Sequence, residues 1–253
     1  MRQDRIMVLT VSDVAARIEH TLLRPEATPD QIDALCDEAI EYGFAGVCVN
    51  PIHVHRAVDR LARSGAIPGA RSSGSGSHIK VISVAGFPLG ANLTATKADE
   101  ARRAIDDGAD EIDMVAALGA LMAGNCKFVR ADIEAVAQVV HARSDGGILK
   151  VILETAALSD ERIILGCRCC AEGEADFVKT STGFHPAGGA SVEQVRLLHR
   201  HASPIRVKAA GGIRTAEATL AMIDAGASRI GTSSGVAIVA ELGSRFSFAG
   251  PGA

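Results

Sequence analysis

The segment PIRVKAAGGIRTAEATLAMIDAGASRIGTSSG (204–235) holds one complete structural unit. It opens with a β-type run, PIRVKAAGG (204–212), and passes a glycine pair. It continues through TAEATLAMIDAGA (215–227), where apolar residues recur at helical spacing, and returns to a second β-type run, SRIGTSS (228–234). Thr215 stands where a helix N-cap belongs, because its side-chain oxygen can accept from an otherwise unpaired N–H of the first turn. Gly226 stands where the chain leaves the helix through a left-handed residue. Strand, helix and strand in such quick succession predict parallel strands covered by helices. Lys208 breaks the pattern, since strands buried on both faces read as apolar runs and lysine is rarely buried without a partner or a task.

The same unit recurs along the chain. Further strand candidates are RIEHTLL (17–23), GVCVNP (46–51), HIKVISVAGFP (78–88), DEIDMVA (110–116), LKVILET (149–155) and DFVKTST (176–182), which makes eight in all. Amphipathic helices such as TPDQIDALCDEAIEYG, TATKADEARRAIDDGA and DIEAVAQVVHARS lie between them. Thr28 followed by Pro29 is a helix start, and the glycines of EYGF and DDGAD close helices before the next strand. Eight strands alternating with helices in 253 residues predict an α/β fold of the (β/α)8, or TIM-barrel, kind. The barrel is expected to form a single catalytic domain over 1–253, with its core at about 17–240. An open doubly wound sheet is the competing architecture, but no GxGxxG follows the first strand. PGARSSGSGSH (68–78) is expected to be a surface loop before the third strand.

The composition is that of a globular enzyme, 47% hydrophobic and 22% charged, with 26 glycines. A net charge of −4 without a basic or aromatic-interleaved run gives no sign of a nucleic-acid surface. No stretch approaches the ~20 apolar residues of a membrane span, and the charged beginning does not read as a signal peptide. The expected location is therefore cytoplasmic. The six cysteines, Cys36, Cys48, Cys126, Cys167, Cys169 and Cys170, are expected to be reduced. CRCC has no matching Cys/His pair at zinc-ligand spacing, so no metal and no cofactor are expected.

Active sites of such barrels sit at the C-terminal ends of the strands. Charged residues within apolar strand runs there are Asp113, Lys150, Glu154, Lys179 and Lys208. Alternation sets Asp113 against Ile112 and Met114, Lys179 against Val178 and Thr180, and Lys208 against Val207 and Ala209, so the charges should share the interior. STG, AAGGIRT and GTSSG follow the last three strands. Glycine turns and helix N-termini there can bind phosphate through backbone N–H groups. A lysine whose ammonium is desolvated and faces a second cation loses its proton more easily. It can then attack a carbonyl to form a Schiff base, with a carboxylate moving protons. These residues suggest a metal-free aldolase acting on a phosphorylated sugar.

The motifs HTLLRPEAT, EIDMV, LKVILET, FVKTSTGF and VKAAGGIRT together resemble the deoxyribose-phosphate aldolase family, from about Ile18 to GTSSG. The resemblance implies a class I aldolase of deoxyribonucleoside breakdown. It would reversibly cleave 2-deoxy-D-ribose 5-phosphate to D-glyceraldehyde 3-phosphate and acetaldehyde. It also implies that Lys179 forms the Schiff base, that Asp113 donates and accepts protons, and that Lys208 does the same and tunes Lys179. It places the substrate phosphate on Gly183, Gly211, Gly212, Gly231, Ser233 and Ser234. The partners it implies are a small-molecule phosphosugar and further copies of the chain in a dimer or tetramer, with no nucleic acid and no membrane. The chain departs from the family at Ala116 and Ala117, where many members carry a polar Asn, in the longer RSSGSGS stretch, and in the tail FSFAGPGA. Two other readings are another Schiff-base barrel, transaldolase-like or dehydratase-like, and a non-catalytic phosphosugar-binding protein.

Overall fold

The computed structural model describes residues 9–66, 79–144 and 146–248. The expected loop at 68–78 and the end of the tail, 249–253, lie outside them. Eight parallel strands close a barrel in sequence order, with the last pairing to the first. They are β1 (Ile18–Leu22), β2 (Gly46–Val49), β3 (Lys80–Ala85), β4 (Glu111–Val115), β5 (Ile148–Ile152), β6 (Phe177–Lys179), β7 (Arg206–Ala210) and β8 (Arg229–Thr232). Each falls inside one of the eight expected runs except that β5 begins one residue early.

The helices are α1 (Val11–Ala15), α2 (Pro29–Tyr42), α3 (Val54–Arg63), α4 (Thr94–Asp106), α5 (Leu118–Met122), α6 (Cys126–His141), α7 (Asp160–Glu172), α8 (Val192–His201), α9 (Ala216–Asp224) and α10 (Gly235–Phe248). Their ends follow local chemistry. Gln31 Oε1 accepts from the N–H of Thr28 at 3.0 Å at the start of α2, and Gly43 ends α2 in the left-handed region at φ 67°. Thr215 Oγ1 accepts from the N–H of Ala218 at the start of α9.

Strand alternation divides the residues into two populations. Ile18, Val47, Val49, Val81, Ile112, Met114, Leu149, Val151, Val178, Val207, Ala209 and Ile230 join the main core between sheet and helices. Inside the barrel, Cys48, Ile82 and Val84 make a small apolar cluster on the β2–β3 side. The opposite interior wall is charged, and it carries the candidate site.

The cysteines depart in part from expectation. Cys36, Cys48, Cys167 and Cys170 are buried free thiols, and burial pushes the Cys36 and Cys167 thiols up to about 12 and Cys48 to about 11. Cys126 and Cys169 form a disulfide between the first turn of α6 and the neighbouring α7, so the expectation of six reduced thiols is corrected for this pair. The Cα atoms lie 5.9 Å apart, within the usual disulfide range, but the 43-residue separation leaves no pattern in the sequence.

Candidate active site

Six ionisable side chains converge inside the barrel: Glu19 of β1, Glu111 and Asp113 of β4, Lys150 of β5, Lys179 of β6 and Lys208 of β7. Each residue is at most 3% exposed. Register accounts for the convergence, since Asp113 pairs with Lys150 and Lys179 with Lys208 across adjacent strands. Three ammonium groups face three carboxyl groups. Uncompensated burial of any of them would cost several kcal/mol, so the cluster is stable only as a set.

Asp113 is the hub. Its Oδ2 accepts from Lys179 Nζ at 2.7 Å and from Lys208 Nζ at 2.6 Å, while Oδ1 accepts from Lys150 Nζ at 3.0 Å. The amines of Lys179 and Lys208 therefore lie no farther apart than those two contacts combined. Lys208 also reaches Glu19, and Lys150 reaches Glu111 at 2.5 Å and Glu19 at 3.5 Å. Burial would raise the Asp113 carboxyl, but Lys150, Lys179 and Lys208 overcome it and hold the group well below its ordinary value. Lys179 moves the other way from its neighbours. Burial depresses its pKa and the positive charge of Lys208 adds to this, with Asp113 only partly opposing. For Lys208 burial is outweighed by Asp113 and Glu19, and its pKa rises. Lys150, with Asp113, Glu111 and Glu19 around it, stays well above the usual value despite burial.

Lys179 also lines a cavity of about 720 Å³ over the barrel mouth. Gly183, Gly211, Gly212, Gly231 and Ser233, all singled out from the sequence, line it too, beside Thr182, Arg24 and Arg214. Gly183, Gly211 and Gly212 have φ of 84°, 94° and 79°, a region that side-chain-bearing residues rarely enter. Among the described residues no protein acceptor takes the N–H of Gly183, Gly212 or Ser233. These N–H groups suit an anion with several acceptor oxygens.

Ser234 and Gly231 differ from the other cradle residues in their surroundings. Ser233 borders the cavity, whereas the N–H of Ser234 is taken by Thr232 Oγ1 at 2.9 Å. Gly231 is needed for space: a Cβ there would stand 3.0 Å from Lys208 Cε and 3.0 Å from Ala210 Cβ. The sequence reading missed Glu19 and Glu111 and left Lys150 without a role. Glu111 was within reach of the argument, since it lies two residues before Asp113 and so shares its face. Ala116 is 1% exposed and packs in the main core.

A closed parallel barrel with ionisable groups in its interior, one of them at the end of β6 under a cavity, and a glycine cradle after the last three strands has the architecture of a TIM-barrel enzyme. Residues 15–241 match the DeoC/LacD family aldolase model, and the chain belongs to that family of carbon–carbon lyases. It is 53% identical over 228 residues to a deoxyribose-phosphate aldolase of Thermococcus gammatolerans, covering 90% of this chain and 95% of that protein. It is 49% identical to one of Brevibacillus brevis, covering 88% and 93%. The tetrameric deoxyribose phosphate aldolase of Aeropyrum pernix superposes with a TM-score of 0.81 at 32% identity, covering 93% of each chain.

Proposed function

We propose that the protein reversibly cleaves 2-deoxy-D-ribose 5-phosphate into D-glyceraldehyde 3-phosphate and acetaldehyde through a Schiff base on Lys179, in deoxyribonucleoside breakdown. The observation that carries this reading is the sharing of one Asp113 oxygen by two lysines of opposite acid–base tendency. Lys179 is the lysine of the three that both lines the cavity and has a depressed pKa. As a neutral amine it attacks the C1 carbonyl of the open-chain sugar. Loss of water from the carbinolamine leaves an iminium that withdraws electrons from the C2–C3 bond. Removal of the proton from the 3-hydroxyl then breaks that bond, releasing glyceraldehyde phosphate and leaving an enamine. Protonation of the enamine and hydrolysis return acetaldehyde and the free lysine.

The charge balance supports the sequence of events. With Lys179 neutral, the buried set holds two cations against three anions. Formation of the iminium restores the third cation, so the site favours the intermediate over the resting amine. Asp113 is wholly buried, and it exchanges protons with substrate through the Lys208 ammonium or a water. The cradle N–H groups hold the 5-phosphate, which fixes the distance from phosphate to C1. The enzyme acts in the cytoplasm and as a homo-oligomer, and the tetrameric Aeropyrum pernix relative supports the second of these.

Borohydride reduction in the presence of acetaldehyde tests the mechanism. The expected outcome is one covalent adduct per chain, mapped to Lys179, together with cleavage of deoxyribose 5-phosphate. Lys179→Ala should abolish both, because no other amine stands in register. Undiminished capture in that variant, or an adduct on Lys208, would refute the assignment.

A further inference from the structure

Glu154 follows β5 in a conformation that few side-chain-bearing residues adopt, with φ 59° and ψ 56°. Such backbone costs on the order of 1–3 kcal/mol and persists where surrounding contacts impose it. Glu154 is 2% exposed, and among the described residues no cation pairs with its carboxyl group. Both carboxyl oxygens instead converge on Thr182, the residue before Gly183. They accept from the Thr182 N–H at 3.2 and 3.3 Å, and Oε2 accepts from the Thr182 hydroxyl at 2.6 Å. The same hydroxyl oxygen accepts from the Phe184 N–H at 3.0 Å. Glu154 thus fixes the residues on both sides of Gly183, with two of three successive N–H groups engaged within the protein. Only the middle one, on Gly183, is left for a ligand. Thr182, Gly183 and Phe184 all line the cavity. The backbone on either side is tied down too, by Leu153 N–H to Lys179 O at 3.0 Å and Thr155 N–H to Thr180 O at 2.9 Å.

We infer that Glu154 is a positioning residue for the substrate phosphate: through Thr182 it holds the Gly183 N–H aimed into the anion cradle beside Gly211 and Gly212. This rests on the aldolase reading of the cavity and adds to it a residue that touches neither the amine nor the phosphate. A carboxyl group suits the task because it is an acceptor with two oxygens, and here it meets an N–H and an O–H from one residue. Without it, Thr182 N–H would be a buried donor with no partner and the loop would turn to satisfy it. Lys179 is anchored by its strand, so its amine chemistry should be spared.

The test separates phosphate handling from amine chemistry. Glu154→Ala should weaken binding of inorganic phosphate, measured by titration calorimetry, by roughly tenfold or more, the loss expected for a buried bond to a charged group. KM for deoxyribose 5-phosphate should rise in parallel. Turnover of unphosphorylated 2-deoxyribose and borohydride capture of acetaldehyde on Lys179 should stay within about twofold. Glu154→Gln keeps an acceptor oxygen and should restore most of the affinity. Phosphate bound as tightly by the Ala variant as by the unmodified protein overturns the inference, as does an equal loss on both sugars. If Glu154→Ala does not fold, Thr182→Val decides, with the same split expected at several-fold size and no split counting against the inference. Should the unmodified protein bind phosphate yet fail to cleave deoxyribose 5-phosphate, the aldolase reading falls. The phosphate titration of the variants would still decide the role of Glu154.

Discussion

Lys179 and Lys208 are paired neighbours on adjacent strands, and both donate to one oxygen of Asp113, yet their acidities move in opposite directions. The difference is the number of anions each touches. Lys208 has Asp113 and Glu19, whereas Lys179 has Asp113 alone and feels Lys208 as a repelling charge. Replacing Lys208 by Leu removes the repulsion and leaves Asp113 more fully to Lys179, so the Lys179 pKa should rise. The pH above which acetaldehyde is captured should then move upward, while the adduct stays on Lys179; an unmoved profile would show that Lys208 does not tune the nucleophile. Asp113→Asn keeps the shape and removes the proton acceptor. Turnover, assayed well below the variant's melting temperature, should fall by roughly 10²–10⁴-fold, as for loss of a general acid–base group, and the melting temperature should fall as well because three buried lysines lose their shared anion. Normal turnover would reduce Asp113 to a structural partner. These three residues were legible in the sequence because each is a single charge between uncharged neighbours in a β-type run. Glu19 was not, because His20 follows it and two consecutive polar residues hide which one faces inward.

At the level of elements, the strands were legible and their ends were not. The run DFVKTST yields only three strand residues, Phe177–Lys179, because the threonines that read as β-type are used differently. Thr180 Oγ1 donates to Ala210 O and accepts from Ala210 N–H, and Thr182 is held by Glu154, so the chain bends over the mouth after Lys179. The turn between β8 and α10 shows the same limit. Two adjacent serines look equivalent in GTSSG, but the Thr232 hydroxyl takes the N–H of Ser234 and leaves Ser233 on the cavity. A negative charge should therefore act most strongly at Ser233. Ser233→Asp is expected to raise KM for deoxyribose 5-phosphate by at least tenfold through repulsion of the phosphate, with a much smaller effect on unphosphorylated deoxyribose. Ser233→Ala should be mild, since the backbone donor remains. Equal effects of the Asp variant on both sugars would place the phosphate elsewhere.

For the molecule as a whole, the barrel interior must remain closed and folded around six buried ionisable groups, and the fold can tolerate them only in balance. Lys150 serves this balance without lining the cavity, and it is the cation that reaches Glu111. Burial alone would raise the Glu111 carboxyl, and Lys150 reverses that to hold it below its ordinary value. Lys150→Met removes the cation and keeps the volume. It should cost about 3–5 kcal/mol of stability near pH 8, the range for breaking a buried pair by deleting one partner. The deficit should shrink on acidification. In the unmodified protein Glu111 has a depressed pKa, so its contribution is present above the unfolded carboxyl range and fades as the pH falls. In the variant burial dominates and raises that pKa above the unfolded value. The folded variant then binds the proton more tightly than the unfolded chain, losing stability as pH rises through that pKa and regaining it as pH falls. Urea unfolding of both proteins at pH 8 and pH 5 measures the difference directly. A deficit that is equal at the two pH values, or larger at pH 5, would show that Lys150 supports the barrel by packing and not by neutralising Glu111.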